Sequence, residues 1–342
     1  MQTNDFFYKL PFSSIAQYSA QPRDHSRLLV LNRNTGEKDH LSFFELGNYL
    51  DPGDVLVFNQ SKVFRARLSG KANGKALEIF LLRCLSESIN SSYWEVLAKP
   101  GKILSQGTEI NLSSKLVARV FSKQHEVVQL VIDASKTNVL EFAHEFGQIP
   151  IPPYVKQIPE KLSDYQTVYA KQVGSVAAPT AGFHFTDRLL QELKQQGIQM
   201  EFITLHVGLG TFLPVKTETL EQHEIHSEYV EVDEITALRI NKAKKDGRRV
   251  IAVGTTTVRT LEGIVKKNGS FEAYRGEVNL FIKPGFSFEI IDAMITNFHL
   301  PKSTLLALVS AFASRETIIQ TYEEAIQKDY RFFSFGDAML II

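Results

Sequence analysis

The chain has 342 residues, 44% of them hydrophobic and 22% charged, a composition that is typical of a folded globular protein and argues against disorder. Its 38 Lys and Arg residues balance its 38 Asp and Glu residues, which argues against a protein that coats nucleic acid without regard to sequence but leaves a local basic patch open. A chain of this length is expected to form about two domains.

Cys84 is the only cysteine in the sequence, so an intramolecular disulfide is excluded. Its apolar neighbours predict a buried or half-buried strand thiol, whereas a catalytic thiolate would need a cationic partner and access. The N-terminus lacks the basic and apolar regions of a signal peptide, and the longest apolar run, 305–313, is about half as long as a membrane span. We therefore expect a cytoplasmic protein that does not contact membranes.

The first part of the chain, residues 1–62, mixes turns with short strands. Residues 26–32 and 54–59 are predicted strands, and 43–50 is a predicted short helix that ends before a Pro-Gly turn. Six β-rich segments follow, separated by turns; they are 63–68, 76–82, 93–98, 108–112, 116–122 and 127–132. Such spacing predicts a small antiparallel barrel or sandwich, and we interpret residues 63–147 as an inserted barrel-like domain.

After a Pro-rich linker at 149–154, strands alternate with helices. A helix is predicted before the linker, at 139–146. After the linker the predicted helices are 187–196, 234–245, a segment from Gly254 to 267, and most of 304–328; the predicted strands are 199–206, 226–232, 249–253, 279–282 and 290–297. Thr186 and Asp233 are placed to cap two of these helices. The alternation predicts an α/β fold with a mixed sheet, formed discontinuously by residues 1–62 and 148–342.

Two loops place a histidine beside small residues. In the first, residues 174–186, His184 follows a glycine and precedes a helix, where it can act as an acid or base near neutral pH or belong to a structural turn. In the second, a strand ends in His206-Val-Gly-Leu-Gly-Thr211, whose glycines either expose backbone N–H groups to a ligand or only bend the chain. No helix follows this loop directly, so we reject a dinucleotide-binding fold.

The run from Val253 to Glu262 is the best candidate for anion recognition. A strand leads into Gly254-Thr-Thr-Thr and then into a helix, which places free N–H groups and the positive end of the helix dipole at the loop. A carboxylate or a phosphate would suit this loop, and an ordinary capped helix is the alternative. The P-loop lysine is missing, which disfavours hydrolysis of a nucleoside triphosphate.

Two later segments combine a turn with polar groups. Residues 295–304 place His299 outside the carboxyl end of a predicted strand, where α/β folds bind ligands, and Ser303 or Thr304 can cap the following helix. Residues 330–339 pack aromatic side chains around a turn that contains Asp337. These aromatic residues are either simple core or part of a site.

Two groups of residues could bind a metal ion or nucleic acid. His223, His226 and Glu228 do not match the helical zinc pattern and lack a further ligand, so we predict no metal site. Basic residues cluster at 62–67 and again at 242–249. Either cluster could bind RNA phosphates, although a solvated helix face explains the second.

Taken together and in this order, the motifs resemble the S-adenosylmethionine:tRNA ribosyltransferase-isomerase family of the queuosine pathway. The matching stretches cover nearly the whole chain; they are Leu10-Pro11, 15–17, 23–28, 53–57, 66–68, 152–154, 165–170, 179–184, 205–212, 254–256, 296–301 and 334–339. The sequence departs from the family pattern at Gln60, Phe183, Val278 and Ser314, none of which we assign to catalysis.

The resemblance implies a reaction in which S-adenosylmethionine is a consumed co-substrate. Its ribosyl part would pass to 7-aminomethyl-7-deazaguanine at the wobble position of a tRNA and rearrange to give epoxyqueuosine, while adenine and methionine leave. The sulfonium acidifies the ribose C5′ hydrogens, so a neutral histidine can remove one. No metal is required, and we expect a monomer whose partners are the tRNA and S-adenosylmethionine.

The implied reaction suggests roles for the motif residues. The general base would be His184 or His206, and His299 or Asp337 would assist the departure of adenine. The methionine carboxylate or a tRNA phosphate would be held by Gly254, Thr255, Thr256 and Arg259. Further substrate-binding residues are predicted at Thr180, Gly182, Gly208, Gly210, Thr211, Glu228 and Asn297, with Glu228 on ribose hydroxyls. Predicted tRNA-binding residues are Lys62, Arg65 and Arg67.

Two rival functions remain open at this stage. An S-adenosylmethionine-dependent RNA methyltransferase would release S-adenosylhomocysteine instead of adenine and methionine. An RNA-binding module with a barrel would bind modified tRNA without consuming S-adenosylmethionine.

Overall fold

The structure is a computed structural model that describes residues 1–113, 116–152, 154–156, 161–208, 215–225 and 227–342. Its strands are β1 (Arg27–Leu31), β2 (Lys38–Ser42), β3 (Val55–Asn59), β4 (Ser61–Val63), β5 (Arg67–Ala72), β6 (Lys75–Glu87), β7 (Ser92–Lys99), β8 (Glu109–Ser113), β9 (Leu116–Gln124), β10 (Val127–Ile132), β11 (Gln172–Ser175), β12 (Gln199–Leu205), β13 (Glu228–Val232), β14 (Val250–Val253), β15 (Tyr274–Val278), β16 (Ala293–Asn297) and β17 (Ala338–Ile341). Its α-helices are α1 (Lys136–Phe146), α2 (Asp187–Gln195), α3 (Glu234–Lys245), α4 (Thr255–Asn268), α5 (Thr304–Ala313) and α6 (Arg315–Gln327). Short 3₁₀ helices lie at Thr3–Phe6, Phe12–Ser14, Arg23–His25, Phe43–Tyr49, Gly101–Ile103, Leu162–Tyr165, Thr180–His184 and Leu220–Gln222.

Within the described residues, nine strands form one mixed sheet in the order β15-β13-β12-β3-β14-β16-β17-β1-β2. The four central strands β12, β3, β14 and β16 are parallel, so their carboxyl ends meet at one edge of the sheet. Strands β13, β17 and β1 run the other way and begin at that same edge. We call it the carboxyl edge; it brings together loops that are far apart in the sequence.

The central strands are buried on both faces because helices cover both sides of the sheet. Alternate side chains of β3 enter different cores: Val55 and Val57 pack on one face with helices α3 to α6, and Leu56 and Phe58 pack on the other with α2. Strands β14, β16 and β17 are buried throughout, as expected for strands between two layers of helix. The predicted α/β fold with a mixed sheet is confirmed.

Strands β5 to β10 close into a barrel in the order β10-β7-β6-β5-β8-β9, which confirms the predicted barrel. Its buried core contains Trp94, and the β5–β6 turn at Asn73-Gly74 has positive φ at both residues, as a tight hairpin turn requires. Cys84 is half-buried in β6, as predicted. The boundaries 63 and 147 of an inserted domain stay a prediction.

Several predicted elements are displaced. The first barrel strand is β5, not 63–68, because residues 61–63 pair with β11 in a separate two-stranded sheet. The strand predicted at 279–282 is wrong: the strand is β15, which among the described strands pairs only with β13, at the sheet edge, and is largely polar. The apolar residues Leu280 and Ile282 pack into the core from a loop instead.

Helix ends follow local signals. The side chains of Thr186 and Asp233 accept hydrogen bonds from the backbone N–H of Leu189 and Thr236, at 3.2 and 2.7 Å, so both predicted caps are confirmed. The long helix predicted at 304–328 is interrupted at Ser314, which has a φ of 67° and separates α5 from α6. Among the described helices, none combines the length and the apolar character that crossing a membrane requires.

Candidate active site

A cavity with about 480 Å³ of empty space lies at the carboxyl edge. Its wall combines residues that follow three of the parallel strands: Val207 after β12, the turn after β14, and the end of β16. Residues 178–181 close one side, and Leu305 with residues 333–334 closes another. Sites at the carboxyl ends of parallel strands are where α/β sheets bind ligands.

The first turn of α4 forms one wall of the cavity, with Gly254, Thr255 and Thr256 in the lining. Gly254 has a φ of 91°, which lets the chain turn from β14 directly into the helix. Because the first N–H groups of a helix have no partner within it, this turn presents donors and a positive dipole end. The predicted strand–loop–helix arrangement is confirmed. An anion in the cavity would lie against the first turn of α4.

Asn59 at the end of β3 ties this wall to its neighbour. Its amide donates to the Leu205 carbonyl and accepts from the Leu205 N–H, both at 3.0 Å, and its Nδ2 lies 3.5 Å from the Thr256 hydroxyl. The side chain is fully buried. Asn59 thus holds the ends of β3 and β12 and the start of α4 in register, and the sequence motifs did not identify it.

A chain of hydrogen bonds runs behind the opposite wall. The Thr180 hydroxyl donates to Asn297 Oδ1 at 3.2 Å, so Asn297 Nδ2 is the group that faces His184 Nε2 at 3.1 Å. His184 Nδ1 lies 2.7 Å from the Ser26 hydroxyl. With Asn297 donating to Nε2, the proton of the neutral ring sits on Nδ1 and is donated to Ser26. Both ring nitrogens of His184 are therefore engaged.

His299 lines the cavity and follows β16, as predicted. Its Nε2 lies 2.9 Å from the Thr296 hydroxyl, its backbone N–H donates to the Tyr322 hydroxyl, and its carbonyl accepts from the Tyr8 hydroxyl. Burial lowers the pKa of His299 to about 3, so the ring is neutral at physiological pH. The unprotonated ring carries a lone pair that can take up a proton, although the burial that lowers its pKa also makes it a weaker base than a free imidazole.

A smaller cavity of about 170 Å³ lies beside the first and shares Ser334 with it. Arg23 and His184 are in its wall. Burial lowers the pKa of His184 to about 4; Asp337 opposes that shift, and the cations of Arg331 and Arg23 reinforce it. His184 therefore stands between the two cavities as a neutral ring.

His206 lies one residue outside the main cavity wall. Its ring stacks on Tyr229 with centroids 5.9 Å apart, and it packs so closely on Gly174 that an added Cβ there would lie 2.7 Å from the ring. Burial, assisted by the Lys136 cation, lowers its pKa to about 4. Gly208 follows it half-buried, whereas Gly210 and Thr211 lie outside the described residues.

Two other predicted site residues are paired with each other. Arg259 on α4 and Glu228 at the start of β13 form an ion pair of 2.5 Å, with side-chain exposures of 6% and 5%. Neither side chain is in the wall of the main cavity. The pair instead joins α4 to the sheet, one turn below the Thr255–Thr256 surface.

Asp337 and Gly182 also lie behind the walls. The Asp337 carboxylate is buried and accepts hydrogen bonds from the backbone N–H groups of Arg27 and Arg331, at 3.1 and 2.8 Å, besides pairing with the Arg331 guanidinium. It thereby closes the 331–337 loop. A Cβ at Gly182 would lie 1.9 Å from the Tyr169 hydroxyl, so this glycine permits close packing.

The predicted RNA contacts lie towards the barrel. Lys62 is exposed on β4, Arg65 donates to the Gly147 carbonyl at 3.4 Å, and Arg67 pairs with Glu78 at 2.9 Å. The second basic cluster, 242–249, is largely ion-paired, which agrees with a solvated helix face.

The possible metal ligands do not converge among the residues that the structure describes, which contain no group of three or more His, Cys, Asp or Glu side chains able to hold an ion. His226 falls outside that part of the chain. Glu228 is committed to Arg259, and His223 packs edge-on against Phe281 with ring centroids 5.9 Å apart.

Comparison with known proteins identifies the family. A model of the queuosine biosynthesis protein family matches residues 3–341. Two relatives named S-adenosylmethionine:tRNA ribosyltransferase-isomerase, from Carboxydothermus hydrogenoformans and Staphylococcus epidermidis, are 50% and 48% identical over the full length of both chains. A crystal structure of an S-adenosylmethionine tRNA ribosyltransferase from Thermotoga maritima is 36% identical and superposes with a TM-score of 0.58, covering 99% of this chain and 100% of the other. The chain therefore belongs to the queuosine biosynthesis protein family, among the enzymes called S-adenosylmethionine:tRNA ribosyltransferase-isomerases.

Proposed function

We propose that this enzyme transfers the ribosyl part of S-adenosylmethionine to 7-aminomethyl-7-deazaguanine at the wobble position of tRNA, giving epoxyqueuosine and releasing adenine and methionine. The observation that carries the proposal is the convergence of the α4 start, Asn297 and His299 on one cavity at the carboxyl edge. The cavity combines an anion-binding helix terminus with neutral hydrogen-bonding groups. We also propose that it acts as a cytoplasmic monomer.

The methionine carboxylate is proposed to bind at the first turn of α4. The backbone N–H groups there, with the hydroxyls of Thr255 and Thr256, are the donors that line the cavity, and a carboxylate at a helix start is stabilised by about 0.3–1 kcal/mol from the dipole alone. Arg259, which the sequence analysis predicted to help bind this carboxylate or a tRNA phosphate, forms an ion pair with Glu228 instead. We assign that pair to holding α4 in place.

His299 is the proposed proton acceptor. The sulfonium withdraws electrons from the ribose C5′, and loss of a C5′ proton begins the rearrangement. When Nε2 donates to Thr296, the lone pair of the ring is on Nδ1, and this atom would take the proton. His184, whose two nitrogens are already bonded, is proposed to hold Asn297 in the wall rather than to act as the base.

The departing adenine needs a proton or a hydrogen bond on a ring nitrogen. Burial keeps His299 unprotonated at neutral pH, so it holds no imidazolium proton to give to adenine and does not suit this second role. Asp337 is committed to the 331–337 loop. The Asn297 amide and the Ser334 hydroxyl, which line the cavity, are the proposed donors to adenine.

The acceptor tRNA is proposed to approach from the side of the smaller cavity, since His184 and Ser334 separate that cavity from the donor site. Lys62 and Arg65 are proposed phosphate contacts; Arg67 is paired with Glu78 and contributes less.

Product analysis tests the proposal. The enzyme is incubated with S-adenosylmethionine and tRNA carrying 7-aminomethyl-7-deazaguanine, and small molecules and tRNA nucleosides are identified by mass spectrometry. We expect free adenine, free methionine and epoxyqueuosine in the tRNA, and their loss in His299→Ala but not in His125→Ala, which changes an exposed barrel turn. S-adenosylhomocysteine as the product would show a methyltransferase instead.

A further inference from the structure

The N-terminal segment carries large aromatic side chains that the fold leaves in solvent. Phe7, Phe12 and Tyr18 are 56%, 59% and 68% exposed, although Tyr8 between them is almost completely buried. Exposed aromatic rings do not contribute to packing of the core, and a group of them indicates an interaction surface. Proteins that bind single-stranded nucleic acids use exposed aromatic rings along a segment as platforms on which successive bases stack.

Cations accompany these rings. Lys302 Nζ lies 5.1 Å from the centre of the Phe7 ring, and Lys156 Nζ lies 4.9 Å from that of Phe12. The Arg331 guanidinium donates to the Tyr18 carbonyl at 3.2 Å. No described carboxylate lies within ion-pair distance of either lysine.

This arrangement differs from the basic cluster on α3. There Lys242 and Lys244 are paired with Asp246 and Asp292, at 3.3 and 2.7 Å. The lysines beside the exposed rings keep their charge available for an anionic partner, so this surface has the electrostatic character that phosphates require.

The segment is attached to the walls of both cavities. Backbone hydrogen bonds join Ser14 and Ala16 to Phe332, at 2.7 and 3.1 Å, just before the cavity residues 333–334. Ser19 lies in the wall of the smaller cavity, and the Tyr8 hydroxyl donates to the carbonyl of His299. The segment that carries the exposed rings therefore borders both cavities.

Position 17 links the segment to the neighbouring loop. The Gln17 amide accepts from the Lys156 N–H at 2.9 Å and donates to the Tyr154 carbonyl at 3.3 Å. The Tyr154 hydroxyl in turn bonds to Ser334, the residue shared by the two cavities. These hydrogen bonds fix the backbone around Gln17 and Lys156 relative to the two cavities.

We propose that this aromatic–basic strip, residues 7–18 with Lys156, Lys302 and Arg331, binds the single-stranded anticodon loop of the substrate. Unpaired bases stack on Phe12 and Tyr18, and the lysines contact loop phosphates; sequence-selective RNA binding uses such splayed loops rather than duplex. The identity of the RNA rests on the proposed function.

The test is binding of a fluorescein-labelled anticodon stem–loop to the full-length enzyme, measured by fluorescence anisotropy without turnover. Phe12→Ala combined with Tyr18→Ala is expected to raise Kd about tenfold or more, and Lys156→Gln to reduce the slope of log Kd against log salt by about one. Matched controls are Phe121→Ala, which is 51% exposed on the barrel, and Lys242→Gln on α3. Both controls should leave Kd unchanged.

The proposal is rejected if the double variant binds RNA with unchanged affinity, or if Phe121→Ala loses as much affinity as the double variant. Unchanged affinity in the double variant would indicate that the exposed rings bind a protein partner instead. Because the changed side chains are mostly in solvent, folding is checked by an unchanged unfolding midpoint, and ultraviolet cross-linking of the wild-type enzyme provides a second readout at residues 12 and 18. Loss of RNA binding in the double variant, together with no epoxyqueuosine from the wild type, would reject the reaction and keep the strip.

Discussion

Replacing Glu228 by alanine should remove the partner of a buried cation. Arg259 and Glu228 are only 6% and 5% exposed and lie 2.5 Å apart. Arginine does not lose its proton in a protein, so without Glu228 the buried guanidinium would lose the carboxylate that pairs with it. The helix that carries Arg259 also forms the proposed carboxylate site with its first turn.

The expected cost follows from burial. Breaking a buried ion pair by removing one partner typically costs about 3–5 kcal/mol. The entropy of unfolding is about 2.1 cal/mol/K per residue, so for 342 residues each kcal/mol lowers the melting temperature by about 1.4 °C. Glu228→Ala is therefore expected to melt about 4–7 °C below the wild type.

A control on the same strand isolates burial as the cause. Glu231 pairs with Arg275, but these side chains are 38% and 70% exposed. Glu231→Ala should cost at most about 1 kcal/mol, or about 1 °C. Differential scanning calorimetry measures both variants, and the S-adenosylmethionine affinity of Glu228→Ala should fall as well. Equal melting temperatures for the two variants would refute the assignment of the buried pair to holding α4.

Three further outcomes are expected. Asn297→Ala removes the donor to His184 and opens the cavity wall, so kcat for adenine release should fall about 100-fold; a kcat within a factor of two would contradict this. Burial lowers the pKa values of His184 and His299 to about 4 and 3, so below about pH 6.5 the unfolded chain binds more protons than the folded one. The free energy of unfolding, measured with urea, should therefore fall from pH 6.5 towards pH 4 by up to about 1.4 kcal/mol per pH unit for each ring. A free energy of unfolding that does not change over this range would argue against neutral buried rings. Gly182→Ala places a Cβ 1.9 Å from a tyrosine hydroxyl and should lower the melting temperature, whereas Gly101→Ala, whose added Cβ meets nothing within 4 Å, should not.

The local parts of the site could be predicted from the sequence. The turn after β14 is visible as an apolar run, a glycine and a threonine-rich helix start, and His299 is visible as a polar residue just beyond an apolar strand. Both signals depend only on neighbours in the chain. Parallel strands end at one edge of a sheet, so the loops that follow β12, β14 and β16 meet there and line the cavity.

The remaining features depend on partners that are distant in the sequence. Asn59 and Ser26 look like ordinary polar residues at strand ends, and only the sheet order places them against α4 and His184. Arg259 looked like a ligand contact because no local signal reveals that Glu228 lies opposite it. Asp337 looked available for chemistry, but the loop before β17 folds back onto its carboxylate. In each case a tertiary pair decides the role.

The fate of the ribose carbons distinguishes ribosyl transfer from every other use of S-adenosylmethionine. S-adenosylmethionine labelled with ¹³C in every ribose carbon is incubated with the enzyme and tRNA carrying 7-aminomethyl-7-deazaguanine for a single turnover, and the tRNA nucleosides are then analysed by mass spectrometry. The account predicts that all the ribose label appears in the wobble nucleoside as adenine is released, and that His299→Ala abolishes both. Ribose label that stays in a small-molecule adenosyl product and never enters the tRNA would contradict it.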